Sequence, residues 1–217
     1  MLDGRAMSAN CCTHTHEDQL PDSRYRRVLW IVLAINGAMF LIEIIAGVVA
    51  GSASLQADAL DFLADASNYG ISLFVVGMAL RYRASAALAK GVTMGLFGLW
   101  VLSTAFWHAA SGTVPSAATM GTVGIVALLA NAASFALLWT YRGGDSNMRS
   151  VWLCSRNDVI GNFAVLLAAL GVFKSGKGWP DIFVAFVMAC FALQGAWLVI
   201  RLALAELRLR QGPHVPA

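Results

Sequence analysis

The sequence predicts an all-α, polytopic membrane protein with six transmembrane helices. Apolar residues make up 59% of its 217 residues and charged residues only 12%, about half of the charged share of an average soluble domain. The apolar residues are gathered into runs of about 20, the length at which a helix crosses a hydrocarbon core of roughly 30 Å. No proline interrupts these runs, so each can satisfy its backbone hydrogen bonds as one continuous helix.

The six predicted helices are separated by short connections. In chain order they occupy residues 28–50, 53–80, 91–110, 117–141, 151–173 and 182–200. Residues 143–147, with the sequence Gly-Gly-Asp-Ser-Asn, predict a turn between the fourth and fifth helices. Residues 174–180 predict another turn between the fifth and sixth. Connections this short place neighbouring helices antiparallel.

The basic residues predict the orientation in the membrane. One side of the predicted bundle carries Arg24, Arg26, Arg27, Arg81, Arg83, Lys90, Arg142, Arg149, Arg208 and Arg210. The other side carries only Lys174 and Lys177. Since the basic side faces the cytoplasm, both termini are expected there, in an inner (plasma) membrane protein. The formal net charge of +3 therefore indicates topology and not nucleic-acid binding. The first 27 residues lack the apolar core of a cleavable signal peptide.

The chain is expected to contain one membrane domain with a tail at each end. Residues 1–23 predict a disordered cytoplasmic tail, residues 24–207 the membrane domain, and residues 208–217 a short cytoplasmic tail. The first tail concentrates thiol and imidazole groups at Cys11, Cys12, His14 and His16. These groups suit transition metals, so the tail is a candidate for metal capture. The alternative is a solvated tail without a role.

Carboxylic acids inside the predicted helices are the features that indicate a function. They are Glu43, Asp58, Asp61, Asp65 and Asp158. A charge at the bilayer centre costs at least about 2.5 kcal/mol, so these residues need a compensating role. Asp58, Asp61 and Asp65 are spaced by three and four residues and so share one face of the second helix.

The fifth helix carries a matching pair of candidate ligands. Cys154 and Asp158 are four residues apart and therefore share a face. Together with Asp61 and Asp65 they would supply four donors, the number that a tetrahedral metal site requires. Carboxylate oxygens combined with a cysteine sulfur suit zinc, with cadmium, cobalt or nickel as other possible ions. The metal would be cargo, since no resident cofactor is expected.

The same cluster of acids suggests a coupling mechanism. Without metal, neighbouring carboxylates in a low-dielectric environment repel one another, so the site is expected to hold protons. A divalent cation would displace those protons on binding. If the helices open the site alternately to each side, metal moves one way and protons move the other. The prediction is proton-coupled antiport.

Two stretches of the sequence resemble the signatures of the cation diffusion facilitator family. Residues 51–65 are similar to its second-helix signature, and residues 147–158 to its fifth-helix signature. The resemblance implies six helices, a metal site between the second and fifth, donors at Asp61, Asp65, Cys154 and Asp158, and a homodimer. Many members of that family have histidine where this chain has Asp61 or Cys154. The family's cytoplasmic C-terminal domain is absent here, so a truncated form is expected.

Several alternatives remain open for individual residues and for the function. Arg156 could neutralise Asp61 or Asp65, although helical spacing points it away from the face that carries Cys154. Asp58 could be a ligand or could support the ligands without binding the metal itself. Glu43 could relay protons. A membrane sensor that binds metal without moving it is the second functional hypothesis. An enzyme is not expected, because the sequence has no recognised catalytic or phosphate-binding motif.

Overall fold

The computed structural model describes residues 23–74, 79–141 and 146–209. In these residues six α-helices follow one another without a strand, which confirms the predicted all-α fold. They are α1 (Ser23–Ala50), α2 (Ala53–Phe74), α3 (Leu80–Ser111), α4 (Ala117–Leu138), α5 (Ser146–Ser175) and α6 (Trp179–Leu209). A short 3-10 helix, Trp139–Tyr141, follows α4.

Helices α1, α3, α5 and α6 are longer than the apolar runs that predicted them, whereas α2 is described only to Phe74, residue 80 already belongs to α3, and α4 ends at Leu138 instead of residue 141. Helix α3 begins eleven residues before residue 91, and α6 continues nine residues beyond residue 200. Residues 146 and 147 were expected in a turn and instead begin α5, while 174, 175, 179 and 180 lie inside helix ends. Hydropathy marks the segment in contact with lipid, whereas backbone hydrogen bonding continues into the polar boundary.

The six helices differ in how apolar they are. Among the described residues, α1, α3, α4 and α6 are long and apolar enough to cross a membrane by composition alone. They expose large apolar side chains, such as Val49 at 81% and Trp107 at 71%. Helix α2 falls short of that standard because it carries three acids and several other polar residues, while α5 contains an apolar stretch from Gly161 to Ser175. The apolar helices therefore offer surface to lipid, and the polar residues are kept within the bundle.

Helix α2 occupies the centre of the bundle. It packs mainly against α1 and also contacts α3, α5 and α6, while α3 pairs with α6 and α4 with α5. Residues 52–60 are buried without interruption. Small residues make this possible: Ala53 and Ala57 of α2 lie in one cluster with Ala105 of α3 and Ala189 of α6. Because alanine side chains are short, the helix backbones approach closely.

Three short turns meet at one end of the bundle, called here the turn end. They join α1 to α2, α3 to α4 and α5 to α6, and contain the left-handed glycines Gly51, Gly112 and Gly176. The turns also contact one another. The Ser116 N–H donates to the Ala50 carbonyl oxygen over 3.0 Å. A Cβ added at Gly178 would clash with the Thr113 carbonyl oxygen.

The buried carboxylate of Asp181 caps the start of α2. Its Oδ1 accepts hydrogen bonds from the Ser52 hydroxyl at 2.7 Å, the Ser54 hydroxyl at 2.6 Å and the Ser54 N–H at 3.0 Å. Its Oδ2 accepts from the Ala53 N–H at 2.8 Å. A carboxylate from the first turn of α6 therefore satisfies the free amides of another helix. This contact holds α2 in position relative to α6.

Candidate metal site

A polar stripe runs along α2 and contains three of the predicted site residues. It consists of Asp58, Asp61, Asp65, Asn68 and Ser72, spaced alternately by three and four residues. All are buried except Asp61, which is partly exposed. Such spacing keeps the side chains on one helix face. The acids are therefore part of a longer buried polar surface that extends toward the C-terminal half of α2.

Asp65 links α2 to α5. Its Oδ2 accepts a hydrogen bond from the Tyr69 hydroxyl at 2.6 Å, and its carboxyl group lies close enough to that of Asp158 to interact. Asp65 and Tyr69 are buried. The structure thus brings together one predicted donor from each of the two helices.

Asp61, which lies one helical turn before Asp65 on α2, also faces α5. Its Oδ2 lies 3.7 Å from the position that a Cβ would take at Gly161. Gly161 and Asp158 are three residues apart and share a face of α5. Because glycine has no side chain, the Asp61 carboxylate can lie against the α5 backbone. Gly161 was not among the predicted site residues, although a small residue one turn after Asp158 was a usable signal in the sequence.

Cys154, the remaining predicted ligand, lies in α5. Its side chain falls outside the described residues, as does that of Arg156. The predicted tail residues Cys11, Cys12, His14 and His16 also lie outside the described residues. Where side chains are described, no three His, Cys, Asp or Glu residues form a group that could hold a metal ion. The four-donor cage therefore stays a prediction.

Glu43 and Asp58 form a second pair of acids, between α1 and α2. Both are buried, at 0% and 1% exposure, and their carboxyl groups are close enough to interact. No hydrogen bond of normal geometry reaches any of their four oxygens from the side chains and backbone that the structure describes. Glu43 also lies within electrostatic range of Asp61. The acids thus form a continuous series from α5, along α2, to α1.

A buried lysine near this series corrects one prediction. Lys90 was expected in the connection between the second and third helices, but it lies within α3 and is only 7% exposed. Its Nζ donates a hydrogen bond to the Oδ1 of Asn68 on α2. Asn68 is three residues after Asp65 on the polar stripe. A basic residue beside an apolar run gave no indication in the sequence that it would turn inward.

Comparison with known proteins supports one family. A profile of the cation efflux transmembrane domain matches residues 29–208. The metal cation efflux system protein CzcD of Cupriavidus metallidurans is 25% identical over 190 residues, which cover 82% of this chain and 60% of the relative. The zinc transporter ZitB of Escherichia coli is 23% identical over 211 residues, covering 90% of this chain and 67% of the relative.

A third relative extends the comparison. The cadmium, cobalt and zinc/H(+)-K(+) antiporter of Bacillus subtilis is 25% identical over 195 residues, covering 81% of this chain and 61% of the relative. The chain spans about three fifths of the length of the CzcD relative. The matching domain covers most of the described helices, from α1 to α6. The chain therefore belongs to the cation efflux family, also called cation diffusion facilitators, and is a multi-pass integral protein of the inner membrane.

Proposed function

We propose that this protein exports a divalent transition-metal ion, zinc or a similar ion, from the cytoplasm in exchange for protons. The observation that carries the proposal is the close approach of the carboxyl groups of Asp65 on α2 and Asp158 on α5. It supports a shared site at the centre of the bundle. The names of the relatives, which include a zinc transporter and a cadmium, cobalt and zinc antiporter, support metal as the cargo.

The proposed ligands are Asp61, Asp65, Cys154 and Asp158. Two buried carboxyl groups this close repel each other when both are ionised, so one of them is expected to carry a proton. A metal ion that binds between Asp65 and Asp158 must therefore displace that proton. This exchange makes metal binding and proton binding mutually exclusive, which is the requirement for antiport. Glu43 and Asp58 continue the series of acids and are proposed to relay protons or to support the ligands.

The distribution of basic residues supports one orientation of the bundle in the membrane. Arg24, Arg26 and Arg27 lie in the first turns of α1, and Arg81 and Arg83 in those of α3. The first turns of α1 and α3 lie opposite the turn end. By the positive-inside rule this basic end faces the cytoplasm, and both termini lie there. From the cytoplasm, an ion would meet Asp65 before Asp61 and Asp58.

The proposed partners are the metal ion, protons, membrane lipid and a second copy of the chain. The dimer is proposed from family membership and is tested by measuring the mass of the detergent-solubilised protein. The residues Cys11, Cys12, His14 and His16 are proposed to capture cytosolic metal. Deletion of residues 1–22 should then slow transport without ending it, whereas unchanged transport would leave the tail without that role.

Transport can be tested in proteoliposomes that contain a zinc-sensitive dye and carry an imposed pH gradient. Zinc should accumulate with the wild-type protein and not with Asp65→Ala or Asp158→Ala. Glu206→Ala is the matched control, because Glu206 is an exposed acid on α6 outside the series. Unchanged transport by Asp65→Ala would refute the site. Zinc binding without any accumulation would refute transport and favour the sensor hypothesis.

A further inference from the structure

Lys90 places a positive charge inside the membrane domain. It lies within α3, nine residues after Arg81, in a segment apolar enough to span a membrane. The side chain is 7% exposed. A buried ammonium group is unfavourable unless it is compensated. Its recorded partner, the Asn68 Oδ1, is a neutral acceptor, whereas an ammonium has three donors and a full charge.

The compensating charge comes from the polar stripe of α2. Asn68 is one turn after Asp65, and residues three apart on a helix have Cβ atoms about 5–6 Å apart. Lys90 lies within electrostatic range of the Asp65 carboxyl group. Neighbouring Gly91 packs against Ile200 of α6, so this part of α3 is enclosed by α2 and α6. The ammonium is thus held beside the acids.

We propose that Lys90 is a tethered cation that limits the affinity of the metal site and promotes release of the ion. The inference rests on the proposed function, since it assumes that Asp65 is a metal ligand. A fixed positive charge within about a helical turn repels a divalent ion. The same ammonium can pair with Asp65 once the ion has left. Lys90 therefore replaces the metal ion as the cation paired with Asp65, and the site releases the metal.

This role predicts opposite changes in binding and turnover. Lys90→Gln removes the charge, so it should tighten zinc binding at least about tenfold, equivalent to about 1.4 kcal/mol. It should also lower the maximal transport rate, because release becomes slower. Lys90→Arg keeps the charge and should bind zinc like the wild type. Binding is best measured by calorimetry at pH 8, where protons compete least for the carboxylates.

Asn68 provides the control for a purely structural role. Asn68→Ala breaks the same hydrogen bond as Lys90→Gln but keeps the lysine charge, so zinc affinity should stay at the wild-type level. Asn68→Asp places a carboxylate beside the ammonium and should tighten binding, which gives a second test if Lys90→Gln does not fold. Equal effects of Lys90→Gln and Asn68→Ala would show a packing contact and overturn the inference.

Different results would refute the metal site and the role of Lys90. If Asp65→Ala binds zinc normally, the proposed site is wrong, and the role of Lys90 is wrong with it. If Asp65→Ala abolishes binding while folded Lys90→Gln and Asn68→Asp both bind like the wild type, only the tethered cation is refuted. Tighter binding with a reduced rate in Lys90→Gln, together with unchanged affinity in Asn68→Ala, supports it.

Discussion

Replacing Asp181 with alanine should destabilise the bundle more than most single substitutions. The Asp181 carboxylate accepts four hydrogen bonds from Ser52, Ala53 and Ser54 at the start of α2. Two of the donors are backbone N–H groups and two are hydroxyls. The hydroxyls can turn toward other acceptors, and the Oγ atoms of Ser52 and Ser54 already lie 3.4 Å apart. The two backbone donors have no such freedom.

The expected loss of folding stability follows from those two backbone donors. A buried donor left without a partner costs about 1–3 kcal/mol, so two of them cost about 2–6 kcal/mol. The start of α2 also loses a favourable interaction between the carboxylate and the helix dipole. A loss of about 4 kcal/mol corresponds to a fall in Tm of roughly 8–16 °C for a chain of this size.

Thermal unfolding of the detergent-solubilised protein, followed by circular dichroism, would measure this loss. Asp181→Asn is the matched control, because its amide keeps one acceptor oxygen in nearly the same position. Its Tm should fall between those of the wild type and Asp181→Ala. A Tm for Asp181→Ala within about 2 °C of the wild type would mean that the carboxylate contributes under about 1 kcal/mol, which would refute the stabilising role of the cap.

Three further outcomes are expected. Tyr69→Phe removes the hydroxyl that orients a proposed ligand on α2 and should weaken zinc binding about tenfold, measured by calorimetry; unchanged affinity would contradict this. Gly178→Ala forces a methyl group against the Thr113 carbonyl oxygen and should destabilise by about 1–3 kcal/mol. Gly121→Ala, which meets nothing within 4 Å, should leave Tm nearly unchanged, and equal effects of the two would refute the clash. Cys154→His should retain binding but shift preference from cadmium toward zinc in competition experiments, and an unaltered preference would argue against a ligand role for Cys154.

The number and order of the helices could be predicted because lipid imposes a strong and local requirement. A run of about 20 apolar residues is recognisable without knowing what it packs against. The ends of the helices could not be predicted in the same way, as Lys90 illustrates. It lies beyond the apolar run of α3, and its burial depends on a contact with Asn68, which is 22 residues away in sequence.

The candidate site was predictable to the extent that it depends on helical spacing. Spacing alone placed Asp58, Asp61 and Asp65 on one face, and family resemblance placed that face opposite the fifth helix. Contacts between distant segments could not be derived from either. The hydrogen bonds of Asp181 to the start of α2, more than 120 residues away, required the folded arrangement, as did the proximity of Glu43 to Asp58.

The polar character of α2 also bears on how the protein enters the membrane during synthesis. This helix carries three acids and is not apolar enough to insert alone. Only Gly51 and Ser52 separate α1 from α2, so we expect these two helices to enter together as a hairpin. Lengthening this connection with a polar linker should then leave α2 uninserted and exposed to proteolysis.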